Sequence, residues 1–152
     1  MNYNGKEASK MKIEVRYCSK TGNTKKVANA IADAIRVEAK SINESVLEAD
    51  ILFLGGAIYA DQIPSKLKKF IEGLHSKKIK RVAIFCTSSS GKSIYSELKK
   101  FLDTKKIQVL DESFHCLGNF LFYLKGRPNH EDLKLAKTFA QKVIKEVNLC
   151  KN

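Results

Sequence analysis

The sequence predicts an α/β fold in which a five-stranded parallel sheet is covered by helices on both faces. Two observations support this prediction. Strand-like and helix-like segments alternate along nearly the whole chain with short connections, a pattern typical of sheets built from β–α–β units. The most apolar strand-like segments are uninterrupted runs, which indicates strands that are buried on both faces.

The first strand and helix are predicted from their different periodicities. Lys12–Cys18 alternates apolar and charged residues, which indicates a strand and favours a half-covered position over a central one. Val27, Ile31 and Ile35 recur at helical spacing and predict an amphipathic helix over Asn23–Arg36.

Two buried strands are predicted in the middle of the chain. Asp50–Gly56 contains four consecutive large apolar residues, and Lys80–Cys86 is a second run of this kind. Loops are expected after them, over Ala57–Ile63 and Thr87–Ser90. A short edge strand is expected at Val37–Ala39, ahead of the first buried strand.

The remaining elements are three helices and one strand. Pro64 is tolerated in a first helical turn, and Asn129 is a good N-cap for the last helix. Ile107–Cys116 resembles a strand, and the connection at Leu117–Asn129 is unusually long and aromatic. The apolar positions expected to face the sheet are Leu67, Phe70, Ile71 and Leu74, then Ile94, Leu98, Phe101 and Leu102, then Phe139, Val143 and Val147.

Length and composition indicate one folded domain. The chain has 152 residues, of which 43% are hydrophobic and 29% charged, the balance of a globular protein. We expect residues 1–11, which are polar and aperiodic, to form a flexible leader before a domain at 12–152. No apolar run approaches bilayer length and no signal-peptide pattern opens the chain, so we expect a cytoplasmic protein without membrane insertion, as a monomer or weak dimer.

The cysteines and histidines do not indicate a metal site. The four cysteines are scattered without a C-x-x-C pair, which argues against a paired-thiol zinc site and against a disulfide-stapled secreted scaffold. Three lie near predicted strand ends, where we expect inert, buried thiols. The three histidines lack metal-ligand spacing, so we expect no bound metal.

The segment Ser19–Thr24 (SKTGNT) lies between the first strand and the first helix. In a parallel sheet this is a phosphate-binding position, because the free N–H groups of the helix N-terminus face the loop. Hydroxyl groups in the loop can donate hydrogen bonds to phosphate, and Gly22 permits a tight path of the backbone.

Other phosphate-binding loops are excluded. The dinucleotide motif G-x-G-x-x-G is absent, and the nearest approach to a Walker A sequence, Cys86–Ser93, has cysteine in place of the first glycine. A tyrosine phosphatase of low molecular weight needs an arginine six residues after its cysteine. Thr24 stands there after Cys18, and Lys92 after Cys86.

Three segments carry a resemblance to the flavodoxin family. Tyr17–Ile31 (YCSKTGNTKKVANAI) resembles the flavodoxin signature, in which a [ST]-x-T-G-x-T loop wraps the FMN phosphate. Leu54–Ala60 (LGGAIYA) resembles the second FMN loop, and Phe114–Leu133 resembles a branch of short bacterial flavodoxin-domain proteins. The similar element order covers about Lys12 to Val147, and it implies the strand order 2-1-3-4-5.

The resemblance implies FMN as the cofactor and assigns residues to it. Tyr59 is the expected stacking aromatic, because its flat face matches the flavin ring; an ordinary loop tyrosine is the alternative. The residues expected to hold the phosphate are Ser19, Lys20, Thr21, Gly22, Asn23 and Thr24, and those expected around the ring are Gly56, Ala57, Ile58, Tyr59, Ala60, Thr87, Ser88, Ser89 and Gly91. No catalytic residue is implied.

The chain also departs from the family. It has no tryptophan, which flavodoxins commonly place against the flavin; Phe120, Phe122 and Tyr123 either cover the ring or form a hydrophobic lid over the sheet edge. The family is acidic, whereas this chain has a net charge of +12. We therefore expect a less negative reduction potential, an acidic redox partner that docks on the basic region Pro64–Arg81, and no specific nucleic acid.

Three functions remain open at this stage. The first is electron transfer through FMN without conversion of a substrate. The second is FMN-dependent reduction of a small molecule such as a quinone. The third is a binding domain that has kept the fold and lost the flavin. The small size and the absence of a nicotinamide fingerprint favour the carrier, but a fold by itself does not decide the function.

Overall fold

The computed structural model describes residues 10–59, 62–120 and 124–150. Strands and helices alternate along these residues as the sequence predicts. They are β1 (Ile13–Tyr17), α1 (Asn23–Ile35), β2 (Ala39–Ser41), β3 (Ile51–Ala57), α2 (Ser65–Glu72), β4 (Arg81–Ser88), α3 (Tyr95–Thr104), β5 (Gln108–Leu117) and α4 (His130–Cys150).

The five strands form one parallel sheet in the order β2-β1-β3-β4-β5. The predicted fold class and strand order are therefore confirmed. The order reverses direction between β1 and β3, since β2 lies on one side of β1 and the later strands lie on the other. Open α/β sheets bind ligands at such a switch point, outside the carboxyl ends of the strands.

The prediction that β1 is not a central strand is wrong, although three of its five residues are only partly buried. β1 pairs with β2 on one side and with β3 on the other. The misleading feature is Arg16, which is 3% exposed. Its guanidinium donates hydrogen bonds to the backbone oxygens of Glu44 (3.1 Å) and Ser45 (3.2 Å) and to the carboxylate of Glu14 (2.7 Å). These partners offset the cost of burying the charge.

The core is divided into two layers by the sheet. In β3, Ile51 and Phe53 point to one face and Leu52 and Leu54 to the other, as the two-residue period of a strand requires. The first layer contains α1 and α4, and the second contains α2 and α3. Helix residues complete them: Val27, Ile31, Phe139 and Val143 in the first layer, and Leu67, Ile71, Leu98 and Leu102 in the second.

The structure corrects three local predictions. β2 lies at Ala39–Ser41 instead of Val37–Ala39. β4 continues to Ser88, because its last residues still pair with β5, so Thr87 and Ser88 belong to the strand and not to the following loop. Phe101 does not face the core; it is 37% exposed, and the ammonium of Lys68 lies 5.6 Å from its ring centroid.

The chain ends add two observations. Residues 1–9 of the predicted leader lie outside the described residues, while Met11 packs against the α1–α4 layer. Over the described residues, no helix combines the length and apolar character needed to cross a membrane.

Candidate functional site

The loop between β1 and α1 lies at the carboxyl edge of the sheet, at the switch point. The Ser19 hydroxyl accepts a hydrogen bond from the Gly22 N–H (3.1 Å), and Gly22 has a φ of 91°, a conformation that disfavours residues with a Cβ atom. The N-terminus of α1 has no side-chain cap and no acidic residue in its first turn. The first N–H groups of the helix are thus available to an anion.

Thr24 and Thr87 connect this loop to β4. Their hydroxyl oxygens lie 2.9 Å apart, and each residue is 1% exposed. A buried hydroxyl needs a hydrogen-bonding partner, and these two side chains satisfy each other. Both residues are predicted to contact the cofactor, and in this structure their hydroxyls join α1 to β4.

Asn23 connects the same loop to the end of β5. Its side-chain amide donates a hydrogen bond to the backbone oxygen of Asn119 (2.9 Å). Gly118 lies directly beneath this amide: a Cβ added at Gly118 would lie 2.8 Å from Asn23 Nδ2. The glycine therefore allows the close approach of two loops that are 96 residues apart in the sequence.

Tyr59, in the loop after β3, lies against the phosphate-binding loop. Its hydroxyl accepts a hydrogen bond from the Lys20 N–H (3.2 Å), and the Lys20 ammonium lies 4.8 Å from its ring centroid. Tyr59 and Gln62 exchange two backbone hydrogen bonds. Ala60, which is also predicted to contact the flavin, lies outside the described residues.

The loop after β4 is stabilised by its own hydrogen bonds. The Ser88 hydroxyl donates to the backbone oxygen of Lys92 (2.9 Å), and Gly91 has a φ of 77°. Ser89 is exposed at the start of the loop. Together they hold a tight turn beside the ends of β3 and β5.

The connection from β5 to α4 is anchored by an ion pair. Arg127 donates two hydrogen bonds to the Asp132 carboxylate (2.6 and 2.8 Å). Asn129 and Asp132 cap the N-terminus of α4 reciprocally, because the side chain of each accepts a hydrogen bond from the backbone N–H of the other. This arrangement confirms Asn129 as the N-cap. The backbone oxygen of Arg127 also accepts a hydrogen bond from the backbone N–H of Asn119 (3.0 Å). The start of α4 is thus linked to the phosphate-binding loop.

These contacts lower the pKa of Asp132. Burial disfavours the charged carboxylate, but the hydrogen bonds from Arg127 and from the Asn129 N–H outweigh it and hold the pKa of Asp132 below its ordinary value. The ionised form is the one that anchors the connection.

A cleft of about 30 Å³ lies where these four loops meet. The structure brings eight of the predicted site residues to it, and it adds Gly118, Asn119 and Phe120. The eight are Thr21, Asn23, Ala57, Ile58, Tyr59, Thr87, Ser88 and Ser89. Ser19, Lys20, Gly22, Thr24, Gly56 and Gly91 do not line it but surround it or support its walls. Gly118 and Asn119 were missed by sequence reasoning, although a Gly-Asn pair that ends a strand at this edge is a usable signal.

Phe120 is 53% exposed and borders the cleft. The two alternatives for this aromatic cluster, a cover for the ring and a lid over the sheet edge, both stay predictions. Phe122 and Tyr123, the other two aromatics of this prediction, lie outside the described residues.

A larger cavity lies elsewhere in the described part of the chain. A groove of about 540 Å³ runs between the C-terminal ends of α1 and α4, past Ile35, Ile144 and Leu149. It lies at the amino edge of the sheet, the end away from the switch point, and has no helix N-terminus facing it. The small cleft is the better candidate site, because its polar groups converge.

Buried cysteines supply no nucleophile here. Burial raises the pKa of the Cys116 thiol to about 12, and it also raises the pKa of Cys86 and Cys18. Thiolate is the reactive form of cysteine, so these residues behave as small apolar side chains.

Comparison with known proteins identifies relatives over most of the chain. A family model described as "Flavodoxin domain" matches residues 15–148. The flavodoxin-like domain-containing protein BilS of Clostridioides difficile is 36% identical over 140 residues, 83% of this chain and 76% of BilS. An uncharacterized protein of Methanocaldococcus jannaschii is 31% identical over 137 residues, 81% of this chain and 91% of that protein. A flavodoxin structure from the domain Archaea covers 91% of this chain and 99% of its own with a TM-score of 0.74; at 21% identity this likeness shows the fold.

Proposed function

The chain belongs to the flavodoxin family, and on that premise we propose that it binds FMN and carries electrons between proteins. The observation that carries the proposal is the uncapped N-terminus of α1, with no acidic residue in its first turn, behind a loop with the flavodoxin phosphate signature. A phosphate dianion satisfies the free N–H groups and interacts favourably with the helix dipole.

The residues present fit the phosphate group. The Ser19 hydroxyl accepts from the Gly22 N–H, so its own proton is left to donate to a phosphate oxygen. Thr21 is exposed beside it, and the Lys20 side chain supplies a positive charge. Asn23 and Thr24 support the loop through Asn119 and Thr87 and contribute backbone N–H groups.

The flavin ring belongs in the cleft next to Tyr59 and Phe120. Both aromatics border it, and an aromatic face is the natural surface for a flat conjugated ring. A cleft of about 30 Å³ is much smaller than the roughly 300–1,000 Å³ of a typical ligand pocket. The loops that carry Tyr59 and Phe120 therefore have to separate when the ring enters. Bound FMN supplies reversible transfer of one or two electrons.

The small size of the chain and the absence of a nicotinamide-binding fingerprint favour a carrier over a reductase. The positive charge of the chain also bears on the potential. A positive environment stabilises the anionic reduced flavin, so we expect a less negative potential than that of an acidic flavodoxin. A redox titration that gives an equally low value contradicts this expectation.

Titration of the purified protein with FMN, followed by flavin fluorescence, tests the proposal. Thr21→Ala removes a candidate phosphate donor, and Gly22→Val places a β-branched residue at a φ of 91°; both should weaken binding. Thr138→Ala, at an exposed threonine of α4, is the control and should bind like the wild type. Absence of FMN binding under reducing, low-salt conditions rejects both flavin-dependent functions. Turnover with NAD(P)H and a quinone favours the reductase.

A further inference from the structure

The structure divides the basic region Pro64–Arg81 between the two ends of the sheet. Lys66 lies in the first turn of α2, near the carboxyl ends of the strands. Lys77, Lys78 and Lys80 lie before the first residue of β4, at the amino end. β4 has eight residues, so the two groups are separated by roughly 25 Å along the strand direction. Only the first group is close to the cleft.

Lys66 is joined near the cleft by three other lysines. Lys20 lies in the phosphate-binding loop, and Lys25 and Lys26 lie in the first turn of α1; all four side chains are exposed. Burial raises the pKa of the Cys18 thiol, while the charges of Lys66 and Lys20 oppose that shift. Both ammonium groups therefore lie close to the base of the phosphate-binding loop. We call these four residues the basic rim.

The basic rim is not neutralised by the described part of the chain. Lys20, Lys25, Lys26 and Lys66 form no ion pair there. The described residues of the four loops at this edge include no Asp or Glu; Asp61, in the second loop, lies outside them. The first helical turns at this edge add Glu97, Glu131 and Asp132, of which Asp132 is paired with Arg127.

The opposite edge differs in this respect. Lys12 pairs there with Glu48, and Lys80 pairs with Asp50 (2.9 Å). Two lysines of the amino edge are thus compensated inside the molecule, while Lys77 and Lys78 form no ion pair among the described residues. All four charges of the basic rim are directed at solvent. Uncompensated surface charge steers association with a partner of opposite sign.

We propose that an acidic redox protein docks over the carboxyl edge of the sheet, against the basic rim and the exposed ring of Phe120. This inference rests on the proposed electron-carrier function, because a redox partner has to approach the edge where the flavin ring lies. Phe120, which is 53% exposed, supplies an apolar contact inside the charged border. A polar rim around an apolar centre is the usual arrangement of a protein interface.

Two matched charge reversals test the location of the docking surface. Lys25→Glu/Lys66→Glu changes the rim, and Lys77→Glu/Lys78→Glu changes the amino edge. Each pair replaces two positive charges with two negative ones, so the net charge falls from +12 to +8 in both (12 − 4 = 8). Lys20 is left unchanged because it belongs to the phosphate-binding loop. Because Lys25→Glu places a carboxylate in the first turn of α1, the FMN affinity of each variant is measured first and the rate constants are compared at saturating FMN.

An acidic ferredoxin serves as the probe, and stopped-flow absorbance follows its electron transfer to the FMN-loaded protein. We expect the rim variant to lower the second-order rate constant about tenfold at low ionic strength, and the amino-edge variant less than about twofold. The difference should disappear near 1 M salt, where the Debye length is about 3 Å. Equal losses in the two variants, or no dependence on salt, overturn the proposal.

A second measurement does not depend on the flavin. Amide chemical shifts of the ¹⁵N-labelled, flavin-free chain are followed during titration with the same ferredoxin, and in parallel with a single-stranded oligonucleotide. Shifts by ferredoxin that cluster at the carboxyl edge support the docking surface even where FMN binding fails and the carrier function is rejected. Shifts at the amino edge, or tighter binding of the oligonucleotide to the rim, overturn it.

Discussion

Replacement of Gly118 by alanine tests how the site is assembled. Gly118 does not have a positive φ, so its backbone accepts alanine without strain. The added Cβ lies 2.8 Å from Asn23 Nδ2, 3.2 Å from its Cγ and 3.3 Å from its Cβ. The first of these distances forces Asn23 to move, and Asn23 is buried and hydrogen-bonded to Asn119. Displacement therefore breaks that bond.

The free energies follow from these contacts. Loss of the hydrogen bond lowers the free energy of unfolding by about 1 kcal/mol, and overpacking lowers it by about another 1 kcal/mol. We expect about 2 kcal/mol for Gly118→Ala and about 1 kcal/mol for Asn23→Ala. The double variant should lose only about 1 kcal/mol, because the amide that the new Cβ meets is gone. The coupling free energy is then about 2 kcal/mol.

Urea unfolding of the flavin-free wild type, both single variants and the double variant measures this cycle. FMN affinity is measured on the same four proteins. It should fall in Gly118→Ala and recover in part in the double variant, because Asn23 begins α1, at whose N-terminus we propose that the phosphate binds. A double variant that loses about 3 kcal/mol, the sum of the single effects, shows that Gly118 does not accommodate Asn23 and refutes the reasoning.

Three further predictions concern the rest of the site. Thr24→Val and Thr87→Val should each lower the free energy of unfolding by about 2 kcal/mol, because each leaves a buried hydroxyl without a partner. In urea unfolding, the double valine variant should lose less than the sum of the two single losses. The pKa of Asp132 is lower in the folded state than in the unfolded state, so the ionised carboxylate stabilises the fold fully above the ordinary Asp pKa of about 4, and this stabilisation is lost as the pH falls through the folded-state pKa. The difference in unfolding free energy between wild type and Asp132→Asn should therefore shrink in acid. A difference that stays constant from pH 7 to pH 3 contradicts this prediction. A thiol reagent such as DTNB should react quickly with exposed Cys150 alone, the other three cysteines being buried; rapid reaction of two or more thiols in the folded protein contradicts their burial.

Features that depend on neighbouring residues were predictable from the sequence. The helical period of Val27, Ile31 and Ile35 and the apolar run of β3 identified a sheet with helices on both faces, because a helix or strand repeats its pattern within a few residues. The phosphate-binding loop was visible for the same reason, since Ser19–Thr24 is one continuous segment. The cofactor roles of its residues remain predictions.

The tertiary structure decided what depends on residues far apart in the chain. Thr24 and Thr87 are 63 positions apart in the sequence, and Asn23 and Asn119 are 96 positions apart, so neither contact leaves a local pattern. Arg16 looked solvent-exposed because its partners, the backbone oxygens of residues 44 and 45, have no signature in the side-chain sequence. The basic region near Lys66 looked continuous, but α2 and the turn after it carry the chain from the carboxyl edge of the sheet to the amino edge. Periodicity indicates which face of an element is buried, whereas strand order and register determine which loops meet.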